Sequence, residues 1–333
     1  MSYFRNIYLP THVSTGRFSA SVMFWSSTRD FTANGFDLPS LERSLRRPRT
    51  LFSAAMSLLV IVATVAALLP LFSVLYMLFE RGRANLNFAT LGGLPPAPMT
   101  VGGGIGNAIV GTFVIVTIAT LLSVPVGILG AVFIGEFGPE TKTAAVVLFA
   151  AEVLTGLPSI IAGVFGFAIL VVTTGRFSAL AAGAALALLM LPTILLTATE
   201  AIKSVPLNTR EGATAMGATS TQVVMQISLP TAAPGIITGI MLAIARAAGE
   251  TAPLLFTCLF SNYWTSQTYP RFLPKTLSDL MKPTASLSVL IYNFSGSPFE
   301  NQIQLAWTAA MVLVVIVLVT DIVAQAFARP SAD

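Results

Sequence analysis

Arg246 and Glu250 stand four residues apart inside a long apolar stretch, and Glu152 stands alone inside another. A charge at mid-bilayer costs about 2.5–3.5 kcal/mol even on the lenient insertion scale, so such groups face a protein interior or a water-filled path. Arginine holds its proton and presents a planar fork that matches oxyanions. Arg246 is therefore a candidate for lining an anion path, with Glu250 as its partner when the anion is absent. The alternative is a fixed ion pair, Arg246–Glu250 or Arg246–Glu152, that holds helices together; residue type and spacing leave both open. Other chemistries lack their ligands. The chain has one histidine, His12, and one cysteine, Cys258. Zinc, haem and iron–sulfur sites have almost nothing to draw on, an intrachain disulfide is excluded, and no nucleophile–base arrangement suggests itself.

A second constellation is polar. "REGATAMGATSTQVVMQISLP" runs from Arg210 to Pro230 between two apolar stretches. Asn208 precedes Glu211 by three residues and Thr219 precedes Gln222 by three, and both pairs read as capping boxes at helix starts. Gly217 lies between them, where a helix end favours a left-handed residue. The spacing predicts two short helices, Thr209–Met216 and Ser220–Ser228, bent at Gly217, with Pro230 ending the second. Such a pair is too polar to enter a membrane and too short to stand unpacked. It needs a surface, either a separate subunit or the chain's own helices.

The elements that must position these groups follow from composition. Of 333 residues, 55% are hydrophobic and 10% charged, against roughly 25% charged in soluble domains. The expectation is an all-α integral membrane protein. Six apolar runs reach the length of about 20 residues that a spanning helix needs: Leu51–Phe79, Ile105–Ile134, Ala144–Val172, Ser178–Thr199, Thr231–Phe260 and Ile303–Phe327. They form one membrane domain over 51–329, with the 200–230 loop inside it and a short tail at 330–333. At about 100° per residue, Gly235, Gly239, Ala243, Arg246 and Glu250 share an arc of roughly 80° on span five. Small residues at that spacing admit a close neighbour, so the face packs against helices rather than lipid.

Arginine placement orients the chain. Arg43, Arg46, Arg47 and Arg49 precede span one, while only Arg81 and Arg83 follow it closely. Both termini and the 208–230 segment then lie in the cytoplasm, and the loop Ser261–Gln302, with Arg271, Lys275 and Lys282, lies outside. Residues 1–50 read as a cytoplasmic extension; their arginine- and serine-rich, acid-poor composition also resembles a transit peptide. Gly156 and Pro158 interrupt span three in "TGLPSI", read as a kink, with backbone amides offered to an anion as the alternative.

No nucleotide site is evident. A P-loop needs glycine directly before Lys-Thr or Lys-Ser, whereas Lys142-Thr143 and Lys275-Thr276 follow Thr141 and Pro274. "VGGGIG" (101–106) lacks a following lysine and reads as the approach to span two.

The polar segment also carries a resemblance. Glu211-Gly212-Ala213, three residues, Gly217, nine residues, then Ile227-x-Leu229-Pro230 resembles the EAA loop of ABC importer permeases, with glycine at the middle alanine. "GGGIGNAIVGT" (102–112), "LTGLPSIIAGVFG" (154–166), "ARAAGETAPLLFT" (245–257) and "LSVLIYNF" (287–294) resemble the permease subunits of bacterial phosphate importers. The resemblance covers span one to Arg329 and leaves residues 1–40 aside.

It implies a type I ABC importer (MetI-like) permease fold with six spans in a bacterial plasma membrane. It implies phosphate as cargo, with Arg246, Glu250 and Glu152 along the path. It also implies a docking loop for an ATPase made by Asn208, Arg210, Glu211, Gly212, Ala213, Gly217, Ile227, Leu229 and Pro230. The implied partners are a second permease subunit, an ATPase dimer holding ATP and Mg, and an external phosphate-binding protein. This chain itself would bind no cofactor. A permease for sulfate or molybdate is an alternative, and an ion-coupled secondary transporter using Glu152 or Glu250 a further one.

Overall fold

In a computed structural model of the chain, residues 48–100, 102–265 and 276–328 are described. The arginines at 43, 46 and 47, His12, Arg271, Lys275 and the tail at 330–333 lie outside them. The chain divides into two compact units at Ala66/Ala67, within helix α1 (Pro48–Gly82). In the first unit, the side chains from Leu51 to Ala66 are exposed.

The second unit is helical. After α1 come α2 (Phe88–Gly92) and α3 (Gly106–Val132), which runs into a π turn at Phe133–Phe137. Next are α4 (Lys142–Thr155), α5 (Ser159–Gly166) with a π turn at Phe167–Val171, and the short α6 (Val172–Thr174). Then α7 (Ala179–Lys203), α8 (Leu207–Ala215) and α9 (Ser220–Val223) lead through a π turn at Val224–Ser228 into α10 (Leu229–Gly249). The remainder is α11 (Ala252–Thr257), α12 (Leu277–Leu280), α13 (Leu287–Ser295) and α14 (Glu300–Ala328).

Among the described residues, five helices are long and apolar enough to cross a membrane, and the bent pair α4–α5 makes a sixth span if counted as one. The bend there is 104°, which corrects the expected kink to a break. The reason is local: Pro158 takes φ −57°, ψ 135° as the N-cap of α5, outside the helical region, and its ring denies the backbone an amide donor. Span five breaks as well. Glu250 takes ψ 130° at the end of α10, and the chain re-enters helix at Ala252.

Close approach at small residues holds the bundle together. A Cβ at Gly183 would lie 2.5 Å from Ile118 Cγ2, and one at Gly127 2.8 Å from Ile194 Cγ2, so α3 and α7 meet nearly backbone to backbone. Between helices in lipid, such packing supplies much of the association. The central core of Ile115, Leu186, Met190, Ile194, Ala243, Leu254 and Val289 draws on α3, α7, α10, α11 and α13.

The nine-residue α13 was hidden inside the expected external loop 261–302. It is too short to cross a membrane, yet Leu287, Leu290 and Phe294 are buried in a second core with Ile105, Leu305 and Ala309. The glycine run does approach span two: Gly102 and Gly103 take φ +88° and +95°, and α3 starts at Gly106.

The tightest approach is at Gly111, where a Cβ would lie 1.8 Å from the Ala285 carbonyl oxygen. Gly111→Ala is expected to destabilise by about 1–3 kcal/mol, the usual cost of overpacking. Thermal unfolding in detergent should show a lower Tm, and a Tm equal to the parent's would contradict this packing.

Candidate functional site

The polar segment folds as the helical elbow that its sequence predicts, with corrections at its ends. Thr219 and Gln222 form the capping box at the start of α9: the Gln222 side chain accepts from the Thr219 amide at 2.8 Å, and the Thr219 hydroxyl accepts from the Gln222 amide at 3.4 Å. Gly217 takes φ +90° between the two helices, a left-handed conformation that suits glycine. The box expected at Asn208 and Glu211 is absent. Pro206 is the N-cap of α8, with φ −59° and ψ 135°, so the helix starts at Leu207 and Asn208 lies inside its first turn.

Pro230 does not end the second helix either. The π turn at Val224–Ser228 carries α9 straight into α10, giving a continuous helix over Ser220–Gly249. Pro230 stands two residues after the π turn, where the regular α-helical ladder is already interrupted.

Burial sorts the elbow residues by role. Ala213, Val223, Val224 and Ser228 are buried, and Ile227 and Leu229 are half-buried. Asn208, Glu211, Gly212, Ala215, Gly217 and Pro230 are exposed, as are the apolar Leu207 and Met216, the latter 86% exposed. The exposed leucine at the start of this polar nine-residue helix and the exposed methionine at its C-cap form a surface that is uncovered among the described residues. Arg210 departs from the expected docking set. Its side chain turns inward, donates to the Ile202 carbonyl and stands 3.3 Å from Glu136, the two side chains being 15% and 9% exposed. Sequence reading missed Glu136, although a lone acid closing an apolar run, "FIGEF", was the available signal.

Gly235, Gly239 and Ala243 face helices, as the arc on span five predicts. A Cβ at Gly239 would lie 2.1 Å from Thr197 Oγ1, and one at Gly235 2.8 Å from Ala201 Cβ, both on α7. Arg246 lies in the last turn of α10, 47% exposed, with Nε 3.5 Å from the Glu250 carboxylate, which is 18% exposed. They meet although Glu250 has left the helix. Ser288, on α13, donates to the Glu250 carbonyl at 3.0 Å, satisfying a group that the break sets free. Beside the pair, Gly249 opens on empty space. Glu152 is exposed on α4 and takes no part in the Arg246 pair. The structure thus brings Arg246 and Glu250 together and leaves Glu152 apart.

Residues 123–330 match the family model described as binding-protein-dependent transport system inner membrane component. The chain is 35% identical over 284 residues to the phosphate transport system permease protein PstA of Yersinia pestis, covering 84% of this chain and 92% of that protein. The chain belongs to the binding-protein-dependent transport permease family. Similar relatives include PstA of Haemophilus influenzae, 36% identical over 80% of this chain and 90% of that one. The probable PstA of Methanocaldococcus jannaschii is 36% identical over 77% and 86%. A solved inward-facing structure of the MetNI methionine ABC transporter superposes with a TM-score of 0.52 at 21% identity, covering 68% of this chain and 93% of that chain. The permease therefore has the type I ABC importer fold and is a multi-pass membrane protein of an ABC transporter.

The Thr219 cap should govern local order in the elbow. Thr219→Ala is expected to cost about 0.5–2 kcal/mol of helix stability. Hydrogen exchange at residues 220–224 should accelerate while that of α7 stays unchanged; equal exchange at both sites would contradict the cap's role.

Proposed function

We propose that the chain is the permease subunit of an ATP-driven phosphate importer, and that its elbow α8–α9 is the docking element for a separate ATPase. The observation that carries this reading is mechanical. The second helix of the elbow, α9, and Arg246 lie on one unbroken helix from Ser220 to Gly249. At 1.5 Å per residue, the 26 steps from Ser220 to Arg246 span about 39 Å. A displacement of α9 is thereby delivered to the charged pair at the far end, while α8 joins that helix across the Gly217 turn.

The chemistry at that end suits an oxyanion. Arg246 is half-exposed beside an open glycine, with Glu250 at 3.5 Å to neutralise it when no anion is present. Phosphate entering from outside would displace Glu250 from the guanidinium, and the carboxylate would later compete the anion off. Phosphate is favoured over sulfate or molybdate by the relatives, which are named for phosphate transport. The fixed-pair reading of Arg246–Glu250 has the same ground-state geometry and differs in what its loss does.

In this reading a second, PstC-like permease subunit completes the path, and Glu152 faces it. A PstB-like ATPase dimer holds ATP and Mg and docks at Asn208, Glu211, Gly212, Ala213, Gly217, Ile227, Leu229 and Pro230. A PstS-like protein delivers phosphate from outside. Both termini lie in the cytoplasm, and the chain sits in a bacterial plasma membrane. A ligand shifts a two-state equilibrium only through different contacts in the two states; ATP-bound closure of the ATPases would supply that difference at the elbow.

Arg246→Gln is expected to abolish phosphate uptake while the complex still assembles, as copurification would report. Normal uptake in that variant would leave a purely structural pair. Vesicles holding the reconstituted complex should accumulate phosphate with ATP and no ion gradient. Accumulation that instead follows a gradient without ATP would favour a secondary transporter.

A further inference from the structure

We propose that Arg210, together with Glu136, is the positioning link that couples the docking helix α8 to the ends of spans two and four. This rests on the docking role proposed above for α8. Three elements meet at one point. The Arg210 guanidinium reaches from α8 to the Ile202 carbonyl near the C-terminal end of α7 and to Glu136 in the π turn that ends span two. The π turn is itself pressed onto the same residue, since a Cβ at Gly135 would lie 2.8 Å from Ile202 Cγ2. Ile202 then anchors the apolar cluster of Ala131, Ala198, Val205 and Ile236, which joins α3, α7 and α10.

Without this link, load placed on α8 would reach the spans through its two chain connections and the small apolar contact at buried Ala213. One of the connections is the left-handed turn at Gly217, which has open space around it and acts as a joint. Arg210 bypasses that joint. A guanidinium suits the task because its fork can engage a carbonyl and a carboxylate at once, which a lysine cannot do with fixed geometry.

The pair is also incompletely satisfied. Arg210 and Glu136 stand within ion-pair distance, yet Arg210 Nε and Glu136 Oε1 have no hydrogen-bond partner although both atoms are buried. Buried charges with unused hydrogen-bonding capacity are costly to keep. A small shift of α8 toward the π turn would let the two groups close into a hydrogen-bonded fork. Such a shift would give the link a second position with different contacts, which is what a two-position coupling element requires.

The test uses the complete transporter in vesicles, with two readouts: phosphate transported per ATP hydrolysed, and cross-linking of an Ala215→Cys variant to the ATPase. Arg210→Gln and Glu136→Gln should each lower transport per ATP about tenfold, within the usual range of coupling between sites, while the cross-link still forms. Arg210→Lys should recover little. Combining Arg210→Glu with Glu136→Arg should recover part of the loss, through the restored ion pair but without a donor to the Ile202 carbonyl, a partial rescue that a mere packing defect would not show. An unchanged ratio in the two glutamine variants, or no rescue by the exchanged pair, overturns the link and leaves the docking reading standing. Failure of the cross-link in the otherwise unaltered transporter overturns the docking reading and the link with it.

Discussion

Every peptide group inside hydrocarbon must find its partner within the protein, and that constraint decides where this chain is allowed to break. Two spans break. At span five the Glu250 carbonyl is taken up by Ser288, and the α13 helix that carries Ser288 is itself started by Ser286, whose hydroxyl accepts from the Val289 amide. The Ser178 amide donates to the Thr257 carbonyl at the end of α11. The span-five break is thus bonded to neighbouring helices, whereas Thr155, Gly156 and Pro158 at the span-three break are exposed. The span-five break places an arginine and a glutamate beside an open glycine while the Glu250 carbonyl keeps a partner in Ser288.

The same constraint explains the elbow. A polar helix pair cannot sink into the bundle, so it stays at the end of the spans and satisfies its own termini with the Thr219–Gln222 cap and the Gly217 turn. What ties it down is one buried ion pair and a few small apolar contacts through Ala213 and Val223. What joins it to Arg246 is a π turn rather than a proline stop. The additional residue of a π turn re-aims the helix without interrupting it. The second helix of the elbow and the charged pair therefore belong to one mechanical element, with α8 attached to it at the Gly217 turn.

Much of this was legible in the residues. Span lengths follow from apolar runs, and the small-residue arc on span five foretells the contacts of Gly235 and Gly239 with α7. Thr219, Gln222 and Gly217 announce the elbow through local rules that tertiary packing did not override. Reading failed where two signals compete or where a partner is remote. Asn208 resembles a cap, but Pro206 fixes the backbone two residues earlier. Pro230 resembles a stop, yet it follows a π turn that already interrupts the regular ladder, and the helix continues. Arg210 reads as a surface charge because its partners, Glu136 and Ile202, are 74 and 8 residues away in the chain. The α13 helix escaped notice because nine residues are too few to span a membrane and too many of its neighbours look like loop.

Coupling to an ATPase requires the elbow to lie on the ATP-bearing side of the membrane, and the most direct measurement is accessibility. Met216→Cys places a thiol on the exposed tip, while the native Cys258 is buried and so contributes no background. A membrane-impermeant maleimide should label the variant only after the cells are permeabilised. Labelling of intact cells to the same extent would put the elbow outside and contradict the account.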